Sequence, residues 1–270
     1  MTGKLMKYEL RGCMRIFLPL WAAVLVLSVI NGLTIGNQAD ASNFWVRMFL
    51  YALPAIILFV LLVAMFVISF VIIVRRFYNG LLGEGGYFAF SLPATTAQQI
   101  FARLLTACIM QLGCLVTAAL SGVIIFSIQA GNPVFGELKQ FLAAAGNFLK
   151  NYPRITLLAV EAVILFILVL AEGILRLYSA IAVGHLASSH RSWLSVAAYL
   201  VMGFVITYLF GRAGLIFGKL FADSVTLETA IESINYAAKV FGIVIAGFAI
   251  EDLLLWLITH VIISKKLNIL

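Results

Sequence analysis

Residues 49–74 read FLYALPAIILFVLLVAMFVISFVIIV, without one charged side chain. An α-helix rises about 1.5 Å per residue, so about 20 apolar residues cover the hydrocarbon core of a bilayer. The stretch is therefore a membrane span with length to spare. Five more segments meet the same requirement, which places spans at about 16–36, 46–74, 100–129, 155–186, 193–217 and 239–263. The expected fold is all-α: a polytopic membrane domain over 16–270 with six transmembrane helices, preceded by an interfacial helix over 1–15.

Composition agrees. Of 270 residues 64% are apolar and 11% charged, and the mean hydropathy is +1.12. Soluble domains carry about a quarter charged residues, so a soluble enzyme is excluded, as are disorder and a disulfide scaffold. The net charge of +7 would point to nucleic acid in a soluble chain. In a membrane chain it reflects orientation and anionic headgroups, so membrane lipids are expected partners and nucleic acid is not. Six spans entered from the cytoplasm put eleven of the 18 Lys and Arg residues inside, four of them before the first span, which favours N-in and C-in. Ala39-Asp40-Ala41 looks like a signal cleavage site, but the apolar run from Ile16 to Leu33 exceeds a signal h-region of about 7–15 residues. That run is expected to be retained. Cys13, Cys108 and Cys114 form no Cys-x-x-Cys pair or Cys/His cluster, so no metal site is expected.

Lys4, Lys7, Arg11 and Arg15 fall in one narrow arc of a helical wheel, with Met6, Leu10, Cys13 and Phe17 opposite. This pattern predicts a helix lying on the inner leaflet until the chain turns into the membrane at Pro19. In 135–149, Phe135, Leu138, Leu142, Ala145 and Leu149 repeat at helical spacing and predict a short helix on the outer face. The glycine- and aromatic-rich segment 212–238 suits either a partly re-entrant hairpin or a surface loop.

The connection after the second span, RRFYNGLLGEGGYFAFSLPATTAQQIFARL at 75–104, departs most from the rest. Paired arginines mark the membrane edge, and Gly80, Gly83, Gly85 and Gly86 surround one acid, Glu84. Tyr87, Phe88 and Phe90 follow, Pro93 stops the segment, and Thr96 with Gln99 reads as the capping box of the next helix. Three aromatic rings within four residues of a polar connector read as a docking element, or else as an interfacial anchor.

The run from Arg76-Phe77-Tyr78 through Asn79-Gly80-Leu81-Leu82-Gly83 to Ser91-Leu92-Pro93 resembles the cytoplasmic loop of six-span permeases of the ABC-2 type. Those permeases occur in Gram-positive and anaerobic bacteria. Lys4 to Arg11 and Arg15 to Leu20 are similar to the family's beginning, so the likeness covers about the first 105 residues. The resemblance implies a bacterial plasma-membrane protein in which two permease halves, identical or different, pair with two cytoplasmic ATPase subunits. It also implies that the 77–99 loop carries a coupling helix, with Glu84, Tyr87, Phe88 and Phe90 as the ATPase contacts.

Ionisable groups within spans point to function by default. Glu161 and Glu172 return to nearly the same face of the fourth span, about 16 Å apart along its axis, and Arg176 lies one turn beyond Glu172. Glu251 and Asp252 sit at the middle of the sixth span, followed at helical spacing by Trp256 and His260. Glu172-x-x-x-Arg176 with His185, His190 and His260 partly matches CAAX-protease-like enzymes, but Ala171 stands where their first glutamate belongs. GRAGLIFGKL at 211–220 fails as a P-loop at Ala213 and Leu220. The expectation is therefore a non-enzymatic chain without a cofactor of its own. It would be the permease subunit of an ATP-driven exporter whose Mg-ATP is bound by a partner. The competing class is a proton-coupled transporter using Glu161, Glu172, Glu251 and Asp252 as a relay, with an intramembrane protease behind it.

Overall fold

A computed structural model describes residues 2–36, 45, 48–83, 86, 94–129, 134–187, 190–222 and 230–265. The main helices are α1 (Thr2–Gly36), α2 (Leu53–Phe77), α3 (Thr96–Gln129), α4 (Val134–Asn151), α5 (Pro153–Gly184), α6 (Arg191–Ala222) and α7 (Ala230–Lys265). Among the described residues there is no strand. Wide π-type turns at Met48–Ala52 and Tyr78–Leu82 precede and extend α2. Six helical stretches are long and apolar enough to cross a membrane: Thr2–Thr34, Leu53–Leu82, Thr96–Gln129, Ile155–Gly184, Arg191–Leu209 and Ala237–Ser264. Large apolar side chains such as Phe59, Val163, Phe204 and Leu253 stand exposed on these helices. Apolar surface on that scale would aggregate in water and is at home in lipid. The chain is a multi-pass membrane protein.

The chain forms two compact units. One comprises Gly3–Ile73 and Leu105–Asn151, that is α1, most of α2 and α3, and α4. Its core joins Cys13, Phe17 and Val24 of α1, Leu58 and Met65 of α2, and Met110 and Cys114 of α3. Polar ties between helices supplement this packing: Asn31 Nδ2 donates to the Pro54 carbonyl at 3.0 Å, and Ser69 Oγ donates to Gln111 Oε1 at 2.9 Å. Such ties matter more in a membrane, where burial of apolar surface no longer drives helices together.

Two expectations change here. Helix α1 continues through Pro19 without interruption, so no separate helix ends there. Lys4, Lys7, Arg11 and Arg15 are exposed as the wheel predicts. The opposite face, however, buries Cys13 and Phe17 against the protein's own helices. At Cys13 and Phe17 that face therefore packs on protein, while Met6 and Leu10 stay partly exposed. Helix α4 covers the predicted 135–149 segment, with Leu142 exposed. Helix α6 runs unbroken to Ala222 and α7 starts at Ala230, so most of 212–238 is helical.

The other unit contains Val74–Leu104 and Tyr152 onward. Its centre is α5, which packs on both α6 and α7. Ile174, Leu175, Tyr178, Ala180, Ile181 and Ala182 make the last turns of α5 almost completely buried, and Leu255, Ile262 and Ile263 are buried on α7. At the turn from α5 to α6, Gly184 is buried against Ser195, and an added Cβ would lie 2.7 Å from the Ser195 backbone nitrogen. Backbone cannot swing aside as a side chain does. Gly184→Ala should therefore destabilise the protein by about 1–3 kcal/mol, seen as a lower melting temperature in detergent than for the wild type.

Candidate functional site

Two clusters in the second unit carry chemistry. The first lies at the base of the connection between α2 and α3. The expected loop start at Arg75 is instead helix: the chain winds on through Leu82, because Phe77, Leu81 and Leu82 find buried places. A helix C-terminus leaves carbonyls without donors and carries partial negative charge. Arg103, 9% exposed near the start of α3, supplies both donors and charge. Its guanidinium donates to the Gly80 carbonyl at 2.9 Å and to the Arg76 carbonyl at 3.4 Å. The guanidinium packs directly over Gly80, where an added Cβ would lie 2.5 Å from it and displace it.

Aromatic contacts seat the same base on the end of α5. Phe77 stacks on Tyr178 with ring centroids 3.9 Å apart, and Tyr78 meets His185 edge-on at 5.8 Å. Burial, and secondarily the nearby Arg191 cation, hold the His185 imidazole below its ordinary pKa. At the far end, Thr95 rather than Thr96 caps α3: Gln98 N donates to Thr95 Oγ1 and Thr95 N to Gln98 Oε1, both at 3.3 Å. Gln99, expected in that box, is buried and donates to the Ala94 carbonyl at 3.4 Å. The expected contact residues Glu84, Tyr87, Phe88 and Phe90 lie outside the described residues.

The second cluster is within the membrane. Glu172 and Arg176 lie one turn apart on α5 and form a hydrogen-bonded ion pair. Arg176 Nη2 also stands 4.0 Å from Glu251 Oε1 on α7. The Arg176 carbonyl accepts from Ser179 Oγ, which also lies 3.3 Å from Met202 Sδ on α6. A Cβ on Gly203 of α6 would lie 3.4 Å from the Arg176 guanidinium. Arg176 on α5 therefore approaches α7 through Glu251 and lies beside Gly203 of α6. Glu172, Glu251 and Asp252 are each less than a tenth exposed. Glu161 stands three turns earlier on α5 and takes no part in the ion pairs of Arg176. Trp256 and His260 stack with centroids 5.2 Å apart on α7.

The structure thus brings together Glu172, Arg176 and Glu251, with Asp252 next to Glu251 on α7, and leaves Glu161 aside. Sequence reasoning missed Arg103, counted only as one of the inward-facing charges, and the Phe77–Tyr178 stack. A cation placed after a glycine-rich helix end is the signal that points to Arg103. No family model, no curated protein and no solved structure matches this chain.

Removing Arg176 strands buried carboxylates without a counter-charge. Arg176→Met should cost about 3–5 kcal/mol, and adding Glu172→Gln and Glu251→Gln should restore much of the loss. Thermal unfolding of the single and triple variants in detergent measures both, and equal stability of the two would contradict the hub assigned to Arg176.

Proposed function

We propose that this chain is the permease half of an ATP-driven exporter in a bacterial plasma membrane, working with a separate cytoplasmic ATPase and a second permease half. One observation carries the reading. The connection between α2 and α3 is anchored at its base by the Arg103 cap and the Phe77–Tyr178 stack. A segment that only bridges two spans needs no such fixing, whereas one that transmits force does. Movement delivered to 84–93 would pass through Arg103 and Tyr178 into α3 and α5 rather than dissipate in a slack loop.

The aromatic composition of the segment and its resemblance to ABC-2 loops support a protein partner there. In this mechanism Mg-ATP binding closes the two ATPase subunits, the 77–99 loops follow, and the cavity between two permease halves alternates its access. The ATP chemistry belongs wholly to the partner. The buried carboxylates on α5 and α7 favour the second reading, a proton-driven transporter, in which the same loop has no partner to hold.

The aromatic knob separates the two. In a complex purified in mild detergent, the double variant Phe88→Ala, Phe90→Ala should lose about ten-fold or more of the associated ATP hydrolysis, while its melting temperature matches the wild type. Unchanged ATP hydrolysis in that variant would remove the loop from the coupling path.

A further inference from the structure

The membrane cluster is short of hydrogen-bond donors. Glu251 and Asp252 are 7% and 9% exposed, yet none of their four carboxylate oxygens has a hydrogen-bond partner among the described residues. Arg176 gives its hydrogen bond to Glu172 and approaches Glu251 only to 4.0 Å. One guanidinium pairs with Glu172 and approaches Glu251, while Asp252 stands beside Glu251 on α7, and uncompensated negative charge in a low-dielectric interior is expensive.

Protons would reduce the charge but leave most of the acceptors unserved, and a carboxylic O–H itself needs an acceptor. Among the described residues no group of three His, Cys, Asp or Glu side chains is placed to hold a metal ion. An ammonium group meets the need differently, bringing one positive charge and three N–H donors. The neighbourhood also suits what such a group would be attached to. Trp256 lies one helical turn from Asp252 on the same face of α7, partly exposed, its ring stacked against His260. An indole face attracts a cation and offers a flat apolar bed to an alkyl chain.

We propose that Glu251, Asp252 and Trp256 form a binding site for an amphiphilic organic cation, an alkyl chain ending in a primary ammonium. The ammonium sits between the two carboxylates, and Arg176, held by Glu172, keeps Glu251 in place. As a cargo site it rests on the permease reading. The test therefore measures binding to this chain alone, with no ATPase and no transport step, so either idea can fail without the other.

The full-length chain in lipid nanodiscs is titrated calorimetrically with n-octylammonium chloride and, separately, with n-octanol, against empty nanodiscs. The wild type should bind octylammonium saturably and octanol not at all. Glu251→Gln with Asp252→Asn should weaken binding about ten-fold or more, and Trp256→Leu should weaken it less. Asp252→Asn alone, which leaves the Arg176–Glu251 contact intact, serves if the double variant does not fold. Equal binding of octanol, wild-type affinity in the carboxylate variants, or no heat beyond that of empty nanodiscs would each overturn the site. The last result would assign the carboxylates to protons instead.

Discussion

A charge inside a bilayer has to find its partner within the protein, and in this chain that demand converges on Arg176. Water is absent, so an unpaired guanidinium or carboxylate has nothing to fall back on. Arg176 answers with a hydrogen bond to Glu172 on its own helix, an approach to Glu251 on α7, and a seat beside Gly203 of α6. Apolar packing alone would let these helices slide, since lipid tails are as apolar as leucine. The charged contacts tie α5 to α7, and on α7 Glu251 and Asp252 bring two buried acids to the same place.

A different constraint acts at the end of α2. There the exposed carbonyls of a helix terminus must be satisfied, and Arg103 reaches across from the next helix to do so. The two arginines thus solve related problems: one pairs with carboxylates, the other with a helix end. Both lie in the same unit, and both act on α5: Arg176 belongs to it, and Tyr178, on which Phe77 stacks, follows two residues later. A push on the loop and a change at the acids would therefore act on one continuous helix.

How much of this was legible beforehand follows from what kind of interaction each feature depends on. Six spans are written in uninterrupted apolar runs, a local property that survives without knowledge of neighbours. The Glu172–Arg176 pair was legible for the same reason, because four residues make one turn. Span ends were less so: the helix runs on beyond Arg76, where Phe77 stacks on the sequence-distant Tyr178 and Leu81 and Leu82 are buried. The capping box slipped by one position, since Thr95-Thr96 and Gln98-Gln99 offer two equivalent registers and only Gln99's burial chooses between them. The approach of Glu251 to Arg176 and the Arg103 cap join separate helices, and no spacing rule encodes such pairings. On α1 the wheel pattern is legible from spacing, but the burial of Cys13 and Phe17 against other helices is not, because lipid and a neighbouring helix ask for the same side chains.

The central claim is that force reaches this membrane domain from an ATPase bound at the loop after α2. Purification of the full chain in mild detergent, from membranes of cells that naturally express it, tests this most directly. The account predicts that a subunit bearing ATP-binding motifs co-elutes with the chain and hydrolyses ATP. A chain that elutes intact with no nucleotide-binding subunit, and still transports in vesicles without ATP, would contradict it.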